Sequence, residues 1–175
     1  MLPPSTTGRV TVSGESKNLF VSHSYLDDAV LQGLKAALEK AGYIVEALPH
    51  DGPKPKDTAV ASFTNEMPSA PCIDRAEALI VLVSPGLRTM SEVNSEVEYA
   101  ERRGKRIVGV YVRGGRETDL PANFQKYGDA LVSWPSTRVM EALDGTLNIW
   151  LRPDGETPVS ERDIERFTCG EPVPE

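Results

Sequence analysis

Glu96 is the residue whose type and position call for chemistry. It lies in Ser91-Glu92-Val93-Asn94-Ser95-Glu96-Val97-Glu98. Here Met90, Val93, Val97 and Ala100 recur at helical spacing and form a stripe able to face a sheet. At about 100° per residue, Glu96 falls about 60° from the centre of that stripe, on its shoulder. A carboxylate there looks along the sheet edge, partly shielded from water. Its neighbours have structural work: Thr89 and Glu92 fit a capping box, and Glu98 and Arg102 make an i,i+4 pair on the outer face. At helical spacing Glu96 meets Glu92, a like charge, so no helix-stabilising pair accounts for it. A shielded carboxylate of this kind favours positive charge that develops on a bound reactant.

The elements around it form a repeating pattern. Leu79-Ile80-Val81-Leu82-Val83 is a short, continuous apolar run, read as a strand buried on both faces and stopped by Ser84-Pro85-Gly86. The helix of Glu96 follows, then Arg106 to Val112 as a second buried strand. A strand, helix and strand in that order make a βαβ unit with parallel strands and a right-handed crossover. Upstream, Asn18 to Ser22 reads as the first strand. Leu31, Leu34, Leu38 and Ala41 line a helix stopped by Gly42, and Tyr43 to Leu48 is the second strand. Downstream, Gly114 to Gly128 is a polar connection with at most a short helix. Ala130 to Trp134 is a fifth strand, and Thr137 to Leu143 a last helix ended by Gly145. The expected architecture is a flavodoxin-like doubly wound α/β domain with five parallel strands in the order 2-1-3-4-5.

That order brings two distant loops together. Between strands 1 and 3 the chain reverses direction, and ligands bind outside the carboxyl ends of the strands there. Ser22-His23-Ser24-Tyr25 follows strand 1, and Ser84 to Arg88 follows strand 3. Glu96 lies seven residues past Thr89, roughly 10 Å along the helix axis, so it borders this crevice. Bulky residues at Ser24 or Ser84 are expected to close the crevice without disturbing the sheet. His23 either packs in its loop or touches the ligand, and Tyr25 either packs or contributes to the site.

Composition narrows the class. The chain has 175 residues, 39% apolar and 26% charged, enough for one sizeable core. Its net charge of −7 argues against nucleic acid as a partner, because neutralising phosphates needs an excess of Lys and Arg. Cys72 and Cys169 lack CxxC spacing and read as reduced thiols of a cytoplasmic protein. His23 and His50 are the two histidines and form no clustered ligand pattern, so a zinc site is not expected. No basic leader precedes an apolar core, and no apolar run approaches ~18 residues, so neither export nor a membrane span is expected. Residues 1–17 read as a flexible arm, 18–151 as the domain and 152–175 as a polar tail. The stretch from Pro49 to Cys72 carries five prolines and reads as a long connection, a lid, partner-binding loop or passive insertion, with a short helix at Asp57 to Glu66.

The motifs in this order resemble Toll/interleukin-1 receptor (TIR) domains. Leu19-Phe20-Val21-Ser22-His23-Ser24 followed by Asp27 is similar to that family's first signature. Ala78 to Pro85 with Val93-Asn94-Ser95-Glu96-Val97 is similar to its third strand and Val-Asn-x-Glu helix, and Ser133-Trp134 stands where the last strand shows an aromatic. The likeness covers about residues 18 to 145 and is greatest to compact bacterial members used in anti-phage defence, such as the Thoeris TIR subunit.

The resemblance implies NAD⁺ as substrate rather than a bound cofactor, with Glu96 as the catalytic glutamate. The family cleaves the nicotinamide–ribose bond, and defence members release a linear or cyclic ADP-ribose signal. It further implies a phage-derived trigger, a homo-oligomer and a downstream effector that senses the product. Beside what the resemblance implies, the backbone and hydroxyls of Ser22, Ser24 and Ser84, with Arg88, are read as holding the diphosphate, and Glu92 as raising the proton affinity of Glu96 slightly. Two positions depart from the family: Glu92 replaces a common Trp, and Pro49-His50-Asp51-Gly52-Pro53 replaces an Arg-Asp-x-x-Pro-Gly loop. A non-catalytic TIR adaptor and a nucleoside deoxyribosyltransferase-like enzyme are the competing classes.

Overall fold

The computed structural model describes residues 16–24, 28–48 and 67–159. Five strands and five helices alternate through it: β1 (Asn18–Ser22), α1 (Asp28–Lys40), β2 (Ile44–Glu46), α2 (Ala70–Arg75), β3 (Ala78–Val83), α3 (Ser91–Arg102), β4 (Arg106–Tyr111), α4 (Ala122–Tyr127), β5 (Ala130–Ser133) and α5 (Arg138–Asp144). All strand pairs are parallel and the order is β2-β1-β3-β4-β5. This is the doubly wound, flavodoxin-like sheet the alternation predicts. β3 is its axis: all six residues, ALIVLV, are buried, as a central strand covered on both faces requires.

The strand side chains alternate between two cores. Leu19, Val21, Ile80, Leu82, Val108 and Val110 face one side, where α1 supplies Leu31, Leu34 and Leu38 and α5 supplies Val139, Ala142 and Leu143. Phe20, Leu79, Val81, Val83 and Ile107 face the other, with Ile73 of α2, Val93, Val97 and Ala100 of α3 and Phe124 of α4. The apolar stripe of the Glu96 helix thus meets the sheet as its periodicity demands. Ala41, expected on the buried face of α1, is exposed because that helix has already ended at Lys40.

Two expectations change, and a third lies outside the described residues. The capping box does not form: α3 begins at Ser91 after Met90, whose side chain caps nothing. Thr89 instead closes a 3-10 turn at Leu87–Thr89, its hydroxyl donating to the Gly86 carbonyl at 2.9 Å. Glu92 is left in the first turn of α3, where its charge favours the helix N-terminus. The connection before β3 is shorter than it reads, because α2 occupies its end; Pro71 fits the first turn of α2, where no backbone donor is needed. Residues 49–66, including the helix expected at 57–66, lie outside the described residues.

The chain after β5 also folds. Leu131 donates to the Ile149 carbonyl at 3.1 Å and accepts from Leu151 at 2.8 Å, so this segment covers the outer edge of β5. Trp150 stacks on Phe124 with centroids 5.3 Å apart. Residues 152–159, the start of the polar tail, turn back on the chain before them. Arg152 donates to Thr157 at 2.7 Å and Val159 to Trp150 at 2.8 Å, and the Ser133 hydroxyl donates to the Pro153 carbonyl at 2.9 Å.

Candidate active site

Parallel pairing of β1 with β3 sets the geometry of the site. Ser22, the last residue of β1, is opposite Val81, so the chain after Ser22 emerges beside the chain after β3. Ser24 and Ser84, 60 residues apart in sequence, come within 3.0 Å hydroxyl to hydroxyl and share a hydrogen bond. Both are buried. From the other side, the Ser22 hydroxyl donates to Oε2 of Glu96 across 74 residues of sequence. The carboxylate that no helical pair explains is therefore bonded to the end of the first strand. The structure brings Ser22, Ser24, Ser84 and Glu96 to one place, the carboxyl edge of the sheet at its switch point.

Burial separates these groups by role. Ser22 is 2% exposed and His23 3%, while Glu96 is half-buried, as its position on the shoulder of the stripe predicts. The His23 ring contacts the Ser24 carbonyl through Nδ1 at 3.0 Å, so Nδ1 carries the proton in that contact and the ring braces its own loop. Arg88 lies in the loop as expected, exposed on the 3-10 turn, and among the described residues it makes no ion pair. Tyr25 lies outside the described residues.

Each residue of Val93-Asn94-Ser95-Glu96-Val97 has a separable task. Val93 and Val97 pack on the sheet. Asn94 holds α4 in place: its side-chain oxygen accepts from the Asn123 backbone at 3.0 Å, and its backbone carbonyl accepts from the Asn123 amide at 2.9 Å. Ser95 bonds back to the Ser91 carbonyl at 3.0 Å on the exposed face. Glu96 is hydrogen-bonded to Ser22 of β1.

Sequence reasoning misses three contributors. Asp119 accepts from the Gly86 backbone at 2.9 Å through one oxygen and from Arg116 at 2.9 Å through the other, so it anchors the loop that carries Ser84. Gly115 lets the chain pass against the end of β3, since a Cβ there would stand 2.0 Å from the Val83 carbonyl oxygen. Ser69, just before α2, keeps a buried hydroxyl with no hydrogen-bond partner among the described residues. Ile73 packs in one core with Phe20. The order Ser69-Ala70-Pro71 is itself a helix-start signal and is the clue the sequence offers.

Beyond the crevice, Tyr111 at the end of β4 is pushed well above the usual phenol range, first by burial and then by the charges of Glu117 and Asp119, so it stays neutral. Among the described residues no group of three His, Cys, Asp or Glu side chains is placed to hold a metal ion. No helix of the described residues is long and apolar enough to cross a membrane. Chemically, the site offers a half-shielded carboxylate fixed by a hydroxyl. Such a group can accept hydrogen bonds from a sugar diol and stabilise a cation forming beside it.

Comparison with known proteins gives one family. The model described as Thoeris protein ThsB, TIR-like domain, matches residues 20–117, which include Ser22, Ser24, Ser84 and Glu96. No curated protein matches the chain. Among solved structures, similarity extends to a Clostridium botulinum CMP N-glycosidase, BcmB, at 14% identity and a TM-score of 0.43, over 73% of this chain and 98% of that one. A hypothetical protein is similar at 16% identity and a TM-score of 0.40, over 76% of this chain and 60% of that one. Likenesses of this size carry no functional argument.

Proposed function

We propose, from the premise that the chain belongs to the Thoeris ThsB TIR-like domain family, that it is an N-glycosyl-bond-cleaving enzyme acting on NAD⁺. The observation that carries this reading is the Ser22 to Glu96 hydrogen bond, which fixes a half-buried carboxylate at the switch-point crevice. Breaking the nicotinamide–ribose bond leaves the ribose oxocarbenium-like and positive while nicotinamide departs neutral. Glu96 accepts hydrogen bonds from the ribose hydroxyls in the ground state and faces the growing charge in the transition state. Its attraction therefore increases as the bond lengthens, which is what accelerates the step. Water adding to the ribose C1′ and losing a proton gives linear ADP-ribose, attack by a nucleophilic atom of the same molecule gives a cyclised one, and the product serves as a defence signal for a separate effector.

The sequence reading gave the diphosphate to the crevice hydroxyls and Arg88. The exposed position of Arg88 beside Ser84 supports its share of that role. Purified protein incubated with NAD⁺ and, in parallel, with deoxynucleosides, its products separated by chromatography, tests the function. Nicotinamide and an ADP-ribose species from NAD⁺ alone are the expected products. Free base from deoxynucleosides would replace this reading with a deoxyribosyltransferase-like one, and no product from either would leave a TIR scaffold.

A further inference from the structure

The hydrogen bond that defines the site also changes the assignment of one of its members. A serine hydroxyl has a single proton to donate, and Ser22 directs it to Oε2 of Glu96. It therefore does not act as a donor to a substrate diphosphate. We infer that Ser22 is a positioning residue: it holds the Glu96 carboxylate in the orientation in which that carboxylate meets the ribose. This rests on reading Glu96 as the catalytic carboxylate.

The two partners are suited to these unequal roles. Ser22 is rigid: it closes β1, stands in register with Val81 of β3 and is 2% exposed. Glu96 is attached to α3 through a long, flexible side chain and is half-buried, so a hydrogen bond at its tip narrows the rotamers it samples. The α3 backbone fixes the root of the side chain by seating Val93 and Val97 on the sheet. Ser22 fixes its tip from a different element. Anchored at both ends, the carboxylate plane is set before substrate arrives, as preorganised electrostatic stabilisation requires. Ser24 has a different task, since its hydroxyl pairs with Ser84 and ties the two loops.

The test compares the full-length wild-type protein with Ser22→Ala and Ser22→Thr. Ser22→Ala is expected to lower kcat by about 10- to 100-fold with KM changed less than about twofold, since a misdirected carboxylate weakens transition-state stabilisation and not substrate binding. Ser22→Thr keeps the hydroxyl on a residue suited to a strand and is expected to restore kcat. The carbon-13 signal of the Glu96 carboxylate, identified by its loss in Glu96→Gln, should move in Ser22→Ala and return in Ser22→Thr. A rise in KM at unchanged kcat would make Ser22 a substrate ligand and overturn the inference, as would a Glu96 signal indifferent to Ser22→Ala. If the wild type releases no nicotinamide, the substrate reading fails, and the carbon-13 signal still decides whether Ser22 holds Glu96.

Discussion

At the scale of single residues, the crevice is a set of hydroxyls with assigned partners. Ser24 and Ser84 share a hydrogen bond at 3.0 Å in a buried position, so removing either hydroxyl loses that bond. Ser24→Ala and Ser84→Ala are each expected to cost about 1–2 kcal/mol by denaturant unfolding, and the double variant less than their sum, because both single changes lose the same bond. Strict additivity would mean the two hydroxyls do not act as a pair. The same burial corrects the expectation for bulky residues: an aromatic ring at either position displaces the loops instead of filling an open space. The sequence identifies these serines as crevice residues because the strand order puts both after strand ends. Their mutual bond, and the one from Ser22 to Glu96, are not legible, because contacts across 60 and 74 residues depend on side-chain reach that no spacing encodes.

At the scale of elements, close packing between β4, α4 and β5 holds the α3 side of the site. Gly109 on β4 is the tight point: a Cβ there would lie 2.5 Å from Phe124 Cζ and 2.7 Å from Leu131 Cδ1. Gly109→Ala is expected to destabilise by about 1–3 kcal/mol through overpacking, seen as a lower denaturant midpoint. An unchanged midpoint would show that Phe124 yields without cost. Boundaries legible from the sequence are those set by apolar runs and punctuation, as in β1, β3 and the Gly145 stop of α5, whose φ is +82°. α2 is obscured because six residues carry one fully buried apolar side chain, Ile73, too little for a period to show. The start of α3 is misread because Thr89 looks like a cap but closes the preceding turn.

At the scale of the whole molecule, the two ends of the α1-side layer are tied by polar contacts. The Tyr43 hydroxyl donates to Asp144 at 2.9 Å, and Lys17 lies 3.8 Å from the same carboxylate. Burial first, then the hydrogen bond and charge of Asp144 and the charge of Glu77, push the Tyr43 phenol from its usual 10.0 to about 12. The folded protein therefore holds this proton more tightly than the unfolded chain does. The stabilisation is complete below pH 10 and declines as pH rises from about 10 to about 12. Thermal midpoints across that window should fall more steeply for the wild type than for Tyr43→Phe; parallel curves would remove Tyr43 from the account. The strand order is legible because one crossover per strand pair leaves few alternatives. The fold-back at 152–159 is not, because it is built on local polar bonds, such as Asp154 accepting from the Glu156 and Thr157 backbones at 2.9 Å each, which look like any polar loop.

Under the proposed function Glu96, held where the first strand meets the crevice, cleaves the nicotinamide–ribose bond, and Glu96→Gln is the decisive variant. Glutamine keeps an oxygen able to accept the Ser22 hydroxyl, so stability should change by less than about 1 kcal/mol. The negative charge is lost, so nicotinamide release from NAD⁺ should fall by at least about 100-fold. The measurement is the initial rate of nicotinamide release by wild type and variant at equal folded concentration, with both unfolding midpoints recorded. A folded variant that has lost release is the predicted result. A variant releasing nicotinamide at the wild-type rate would contradict the assignment.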